Sequence, residues 1–174
     1  FIFDKITKMN IILTGFMATG KSEVGKDLAR LLEMEFIDTD DLIEEKLEMK
    51  ISEIFAKKGE KHFRDVESEI AKEVGSWDNY VVATGGGIVL KQENIDFLKK
   101  NGKIINLTTS VKKILDRASK SSVRPLLNVK DKELEIEKLL AKRKPYYEKC
   151  DFSVDTTDTT PEEAAEKIVK KLGL

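Results

Sequence analysis

The sequence predicts an α/β fold in three layers, a five-stranded parallel sheet covered by helices on both faces. Short strand-like runs alternate with helical patterns from one end of the chain to the other. No internal repeat and no Pro/Gly/Ser-rich linker interrupts that alternation, and 174 residues suffice for one well-buried core but not for two ordinary domains. A glycine-punctuated turn joins the first strand to the first helix.

Each element has a local signal. "NIILTG" (10–15) is a β-branched run closed by glycine, and "KSEVGKDLARLLE" places Val24, Leu28, Leu31 and Leu32 at helical spacing. Gly25 inside that helix costs ~1 kcal/mol relative to alanine, which predicts close packing of helix on sheet there. "EFIDTD" (35–40) reads as the second strand, with helices over about 41–48 and about 52–75 after it. "YVVATG" (80–85) and "KIINLTT" (103–109) are the third and fourth strands, joined by a helical stretch containing Ile95, Phe97 and Leu98. After the helix "SVKKILDRA", the segment "SKSSVRPLLNVKDK" is polar and aperiodic and reads as a mobile loop. A charged helix over about 131–149 leads into "DFSVDTT", the fifth strand. In "TTPEEAAEKIVKKLGL", Thr160 is the expected N-cap, Pro161 suits the first helical position and Glu163 completes a capping box. Residues 1–8, before Met9, are expected to be an N-terminal extension outside the functional core, with 9–174 as the single domain.

Composition narrows the function classes. Hydrophobic residues make up 40% and charged residues 36%, and no apolar run approaches the ~18 residues a membrane span requires. A soluble protein with no membrane partner is expected. Thirty-one basic and thirty-two acidic side chains give a formal charge of -1, so no global field draws the chain to nucleic acid and any anion site must be local. The lone Cys150 cannot form an intramolecular disulfide and no secretory signal is visible, which fits a cytoplasmic location.

The turn after the first strand carries the chemistry. In "GFMATGKS", Gly15, Gly20, Lys21 and Ser22 match G-x-x-x-x-G-K-[ST] between a strand and a helix, the context a phosphate-binding loop needs. Glycines let backbone N–H groups fold around phosphate oxygens, the helix N-terminus adds partial positive charge, and Lys21 reaches the β and γ phosphates. The Ser22 hydroxyl suits Mg²⁺, which keeps most of its coordination as water and phosphate oxygen. Four specified positions coincide by accident in such a chain with a probability on the order of 0.01. The loop alone does not separate a kinase from a GTPase, an ATPase or a passive nucleotide sensor.

An acceptor site separates them, and open α/β sheets place ligands at the carboxyl ends of their strands. The second strand ends in "DTD" and the third in "TGGG". Five of the ten glycines lie in the first loop or at Gly85, Gly86 and Gly87, a clustering that close approach of backbone to ligand explains. Asp38 and Asp40 alternate along the strand end and are expected on opposite sides, one facing Mg²⁺ through water and the other a hydroxyl acceptor. The plainer alternative is a helix cap at Asp40 or Asp41, with Glu44 three residues beyond the latter.

With "GFMATGKS", "FIDTD", "GEKHFRDVE", "TGGG", "RPLL" and "RKPYYE" in this order, the chain resembles shikimate kinases from about Met9 to its C-terminus. The resemblance implies a nucleoside-monophosphate-kinase-like fold with strand order 2-3-1-4-5 and a mobile lid over about 117–130. It implies transfer of the ATP γ-phosphoryl group to the 3-hydroxyl of shikimate, with Mg²⁺, in a monomer. By position, Gly15, Ala18, Thr19, Gly20, Lys21, Ser22 and Glu23 form the donor loop. Asp38 supports Mg²⁺ through water beside Ser22, and Asp40 binds the shikimate hydroxyls. Arg64 and Arg143 hold the carboxylate, and Gly85, Gly86 and Gly87 approach the ring through backbone. Arg124 is the lid arginine reaching the phosphates, and Arg117 lies over adenine.

The residues support several of these assignments without the resemblance. Arginine offers a planar fork that matches a carboxylate, and shikimate carries one carboxylate and three hydroxyls. Arg64 has Glu60 and Glu67 at i-4 and i+3, so an ordinary surface ion pair is the alternative, although the glutamates could also steer it. Arg143 lies among Lys142, Lys144 and Lys149, where a solvated basic face is the alternative, and a kink at Pro145 would aim it inward. A loop bearing Arg124 could close over ATP and exclude water. His62 is expected on the solvated side of its helix, Trp77 in packing, and Tyr146 and Tyr147 either under the site or in the core. Ala18 stands where many family members have glycine, and Cys150 where many have alanine. The competing readings are a related small-molecule kinase, such as one acting on gluconate, and a nucleotide-binding regulatory module without turnover.

Overall fold

Five strands, β1 (Asn10–Gly15), β2 (Glu35–Asp38), β3 (Tyr80–Ala83), β4 (Gly102–Thr108) and β5 (Phe152–Asp155), pair in parallel in the order β2-β3-β1-β4-β5. They belong to a computed structural model that describes residues 9–119 and 131–174. This is the strand order the resemblance implies, with β1 at the centre.

Side chains on β1, β3 and β4 alternate between two cores. Ile12, Val82 and Ile104 point to one face, where they meet Ile43, Ile54, Phe63, Val66 and Ile70. Ile11, Leu13, Val81, Ile105 and Leu107 point to the other, against Val24, Leu28, Ala164 and Ile168. Burial on both faces is why the strands read as continuous apolar runs. The second face is covered by α1 (Lys21–Leu32) and α7 (Pro161–Leu172). The first is covered by α2 (Thr39–Leu47), α3 (Ile51–Val74), α4 (Gln92–Lys99), α5 (Val111–Ser119) and α6 (Lys132–Tyr147). None of the described helices is long and apolar enough to cross a membrane.

Capping signals mark the helix ends. Thr160 and Glu163 form the reciprocal capping box of α7, Pro161 opens the helix, and Gly173 closes it at φ 75. A Cβ on Gly25 would lie 2.6 Å from the Phe36 ring, so the missing side chain lets α1 settle on β2.

Two boundaries differ from the sequence reading. The second strand ends at Asp38, because the Asp38 carboxylate accepts the Asp40 backbone N–H at 3.0 Å and starts α2 at Thr39. Asp40 therefore sits in the first turn of a helix and not on a strand end, and the cap is Asp38, neither Asp40 nor Asp41. The helix expected over about 52–75 is broken at Gly59, whose φ 81 and ψ 167 are non-helical. The helix "SVKKILDRA" is present as α5, which runs to Ser119; residues 120–130 of the expected lid, including Arg124, lie outside the described residues. Meanwhile α6 continues through Pro145 to Tyr147 as one helix.

Candidate active site

At the end of β1 the chain enters a loop whose left-handed positions are taken by small residues. Gly15 and Gly20 have φ 147 and 92, and a Cβ on Gly15 would overlap the Leu107 carbonyl of the adjacent strand. Ala18 also lies in the left-handed region, at φ 60. The Lys21 ammonium donates to the Gly15 and Phe16 carbonyls at 2.9 Å each, which folds it across the loop mouth. Gly20 is the N-cap of α1 and supplies no side-chain acceptor, so the first amides of the helix face the loop cavity with no side chain from the cap over them. Thr19 is buried and its hydroxyl donates to the Phe16 carbonyl at 2.9 Å, while Glu23 is exposed in the first turn of α1.

The far side of the loop is clamped. Arg117, near the end of α5, donates to the Ala18 carbonyl at 2.9 Å and to the Thr156 carbonyl at 3.2 Å. The buried Thr156 hydroxyl donates in turn to the Thr19 carbonyl at 2.8 Å. The turn after β5 thus holds the carbonyl side of the loop, leaving its N–H side to face a ligand.

Ser22 and Asp38 meet beside this loop. The Ser22 hydroxyl donates to Asp38 Oδ2 at 2.7 Å, while Oδ1 of the same carboxylate caps α2. Two hard oxygen ligands at the loop mouth fit Mg²⁺, which takes few protein ligands and keeps water and phosphate oxygen for the rest. No cluster of three or more His, Cys, Asp or Glu suited to a metal occurs among the described residues, so any cation here depends on the nucleotide for its remaining ligands.

A second cluster forms on the three glycines after β3. A Cβ on Gly85 would come within 2.7 Å of Asp40 Oδ1 and 3.1 Å of Glu67 Oε1, and one on Gly87 would overlap the Arg64 guanidinium. The glycines are therefore the floor on which these side chains rest. Arg64 donates to Glu67 at 2.8 Å and to Glu60 at 3.4 Å; Glu67 is 1% exposed and Arg64 16%. Burial pushes the Glu67 carboxyl up to about 7 against the pull of Arg64, and the nearby Asp40 charge adds to the rise. Glu67 Oε1 and Arg64 Nε are buried with no hydrogen-bond partner among the described residues, which leaves polar capacity at this floor.

The loop and this cluster touch. A Cβ on Gly86 would lie 3.4 Å from the Gly15 carbonyl oxygen and 3.6 Å from the Met17 nitrogen. From α6, Arg143 sits with its guanidinium 5.8 Å from the centre of the Phe16 ring, over the donor loop, and Tyr147 donates to the Gly86 carbonyl at 2.7 Å. Arg143 thus lies at the junction, half-buried rather than on a solvated face, on a helix that runs through Pro145.

Two contributors escape sequence reading in different ways. Glu67 sits with Phe63, Val66, Ile70 and Val74 on the apolar stripe of α3, and a charge inside such a stripe is a readable signal. Thr156 carries no such signal, since its role depends on the loop lying 137 residues away in sequence. His62 is half-buried with no chemistry attached, and Trp77 packs against Tyr80 with ring centres 5.1 Å apart and the rings tilted by 48°.

Known proteins share this architecture. The shikimate kinase of Thermodesulfovibrio yellowstonii is 50% identical over 162 residues, covering 93% of this chain and 94% of its own. That of Caldanaerobacter subterraneus subsp. tengcongensis is 47% identical over 161 residues, covering 92% and 94%. The solved structure of an Acinetobacter baumannii shikimate kinase in complex with shikimate superposes with a TM-score of 0.91 at 38% identity, over 97% of this chain and 95% of that one. The family model described as shikimate kinase matches residues 17–173, and the chain belongs to the shikimate kinase family.

Proposed function

We propose that this family member transfers the γ-phosphoryl group of ATP to the 3-hydroxyl of shikimate, giving shikimate 3-phosphate and ADP on the route to chorismate and the aromatic amino acids. Relatives named shikimate kinase at 50% and 47% identity across nearly the whole chain support the activity. The observation that carries the residue assignment is the contact of two unlike surfaces, a phosphate loop with its amides open and a glycine floor bearing Asp40 and Arg64, at Gly86 and Gly15.

The donor half binds by backbone amides of residues 15–22, with Lys21 leaving its carbonyl contacts to follow the β and γ phosphates. Ser22, with Asp38 through water, would hold Mg²⁺, which supplies charge neutralisation across the β and γ phosphates. In the acceptor half, Arg64 and Arg143 take the carboxylate from opposite sides, and the amides of Gly85, Gly86 and Gly87 meet the ring hydroxyls. Asp40 orients the 3-hydroxyl and accepts its proton as the oxygen bonds to phosphorus and the bond to the ADP oxygen breaks. Arg117 closes the adenine side, and Arg124, with the lid, completes the charge around the transferring group. One chain supplies every residue named, in keeping with a monomer, and ATP as the donor is in keeping with a cytoplasmic enzyme.

ADP release, coupled to a spectroscopic readout, tests this reading. Turnover is expected with shikimate and not with gluconate or water alone. Equal ADP release with and without shikimate would leave only a nucleotide hydrolase or sensor.

A further inference from the structure

Gly86 is held by a tyrosine to which the phosphate and carboxylate contacts assign nothing. Tyr147 is 6% exposed, and its phenol O–H donates to the Gly86 carbonyl at 2.7 Å. Burial pushes the Tyr147 phenol up, and the Arg143 charge, one helical turn earlier on the same side of α6, pulls the other way. A phenol oxygen that donates to a backbone carbonyl keeps lone pairs with which to accept from a neighbouring guanidinium. A phenylalanine would fill the same space, so packing alone does not account for the oxygen.

The two groups beside this phenol have different tasks in the proposed site, Gly86 meeting ring hydroxyls and Arg143 the carboxylate. The Gly86 peptide is wedged against the donor loop, near the Gly15 oxygen and the Met17 nitrogen. Arg143, on a long flexible stem, has its guanidinium 5.8 Å from the centre of the Phe16 ring. An arginine free to rotate would lose that freedom on binding a carboxylate, and a partner that fixes it beforehand removes part of the cost.

We propose that Tyr147 is a positioning residue for the acceptor, its hydroxyl locking the Arg143 guanidinium to the Gly86 peptide so that carboxylate and ring hydroxyls are met at a fixed spacing. The proposal rests on the assignment of Arg143 to the shikimate carboxylate. It separates Tyr147 from a structural core tyrosine, because the effect travels through one charged contact to one end of one substrate.

The test compares Tyr147→Phe, Arg143→Ala and the double variant, with thermal melting as a check on folding. Tyr147→Phe is expected to raise KM for shikimate about tenfold, the scale of one lost hydrogen bond to a charged group, with KM for ATP within about twofold of wild type. In the Arg143→Ala background the same change is expected to add less than about twofold, since the contact it removes is already gone. With the methyl ester of shikimate, which lacks the charge, Tyr147→Phe and wild type are expected to match. A wild-type KM for shikimate in Tyr147→Phe, an equal rise in KM for ATP, or fully multiplicative losses in the double variant would each overturn the proposal. An unchanged KM in Arg143→Ala would remove the carboxylate assignment, and the proposal with it; a raised KM there beside a wild-type Tyr147→Phe would remove the proposal alone.

Discussion

The Arg64 guanidinium lies so close over Gly87 that a single methyl group on that glycine would occupy its place. The backbone of Gly87 is ordinary, with φ -99, so the glycine is required by its neighbour and not by its own conformation. Gly87→Ala is therefore expected to displace a flexible side chain at little cost to the fold. Melting should stay within a few degrees of wild type, while KM for shikimate rises about tenfold or more and KM for ATP holds, as steady-state kinetics would register. A large loss of stability instead would mean that Gly87 serves the backbone.

Ala18 makes the opposite case. Its φ of 60 puts a residue with a Cβ in the left-handed region, which costs about 1–2 kcal/mol, and glycine would return part of that as extra chain entropy in the unfolded state. Ala18→Gly is expected to stabilise the fold by up to about 1 kcal/mol, read from the urea midpoint. The clamp of Arg117 on the Ala18 carbonyl holds the turn in either variant. Destabilisation would show that the methyl group makes a contact worth more than the strain.

Glu67 links the site to pH. Its carboxyl titrates near 7 in the folded chain, against an ordinary 4.5, with burial as the main cause. Between those values the folded chain keeps a proton that the unfolded chain has lost, so this group's contribution to stability falls as pH rises through the window and reaches its full cost above it. The melting temperature of wild type minus that of Glu67→Gln is expected to decrease from pH 5 to pH 8. A difference that is flat, or that increases, would mean Glu67 is ionised throughout, with Arg64 outweighing burial.

Much of this was legible in the residues. Alternating apolar runs announce the buried parallel sheet, and the phosphate loop has a spacing that survives any detail of packing. The end of β2 was not legible, because whether Asp38 or Asp41 caps α2 depends on which backbone N–H turns toward which carboxylate. Gly59 reads as a tolerated glycine in a helix and is in fact its break, since only the packing of both halves of α3 reveals a φ of 81. Glu60 and Glu67 look equivalent in sequence, flanking Arg64 on either side. Burial separates them, with Glu67 enclosed beside Asp40 and Glu60 in solvent. Long-range contacts such as Thr156 to Thr19 leave no local trace, because a threonine after a strand is also a common turn residue.

The central claim is that Asp40 on its glycine floor takes the acceptor hydroxyl while the loop from Gly15 to Ser22 independently holds the nucleotide. Shikimate-dependent ADP release by Asp40→Asn, measured beside ATP binding to the same variant, tests it most directly. Turnover is expected to fall by about a hundredfold or more, the usual scale for removing a proton acceptor, with ATP affinity unchanged. Turnover near that of wild type in Asp40→Asn would contradict it.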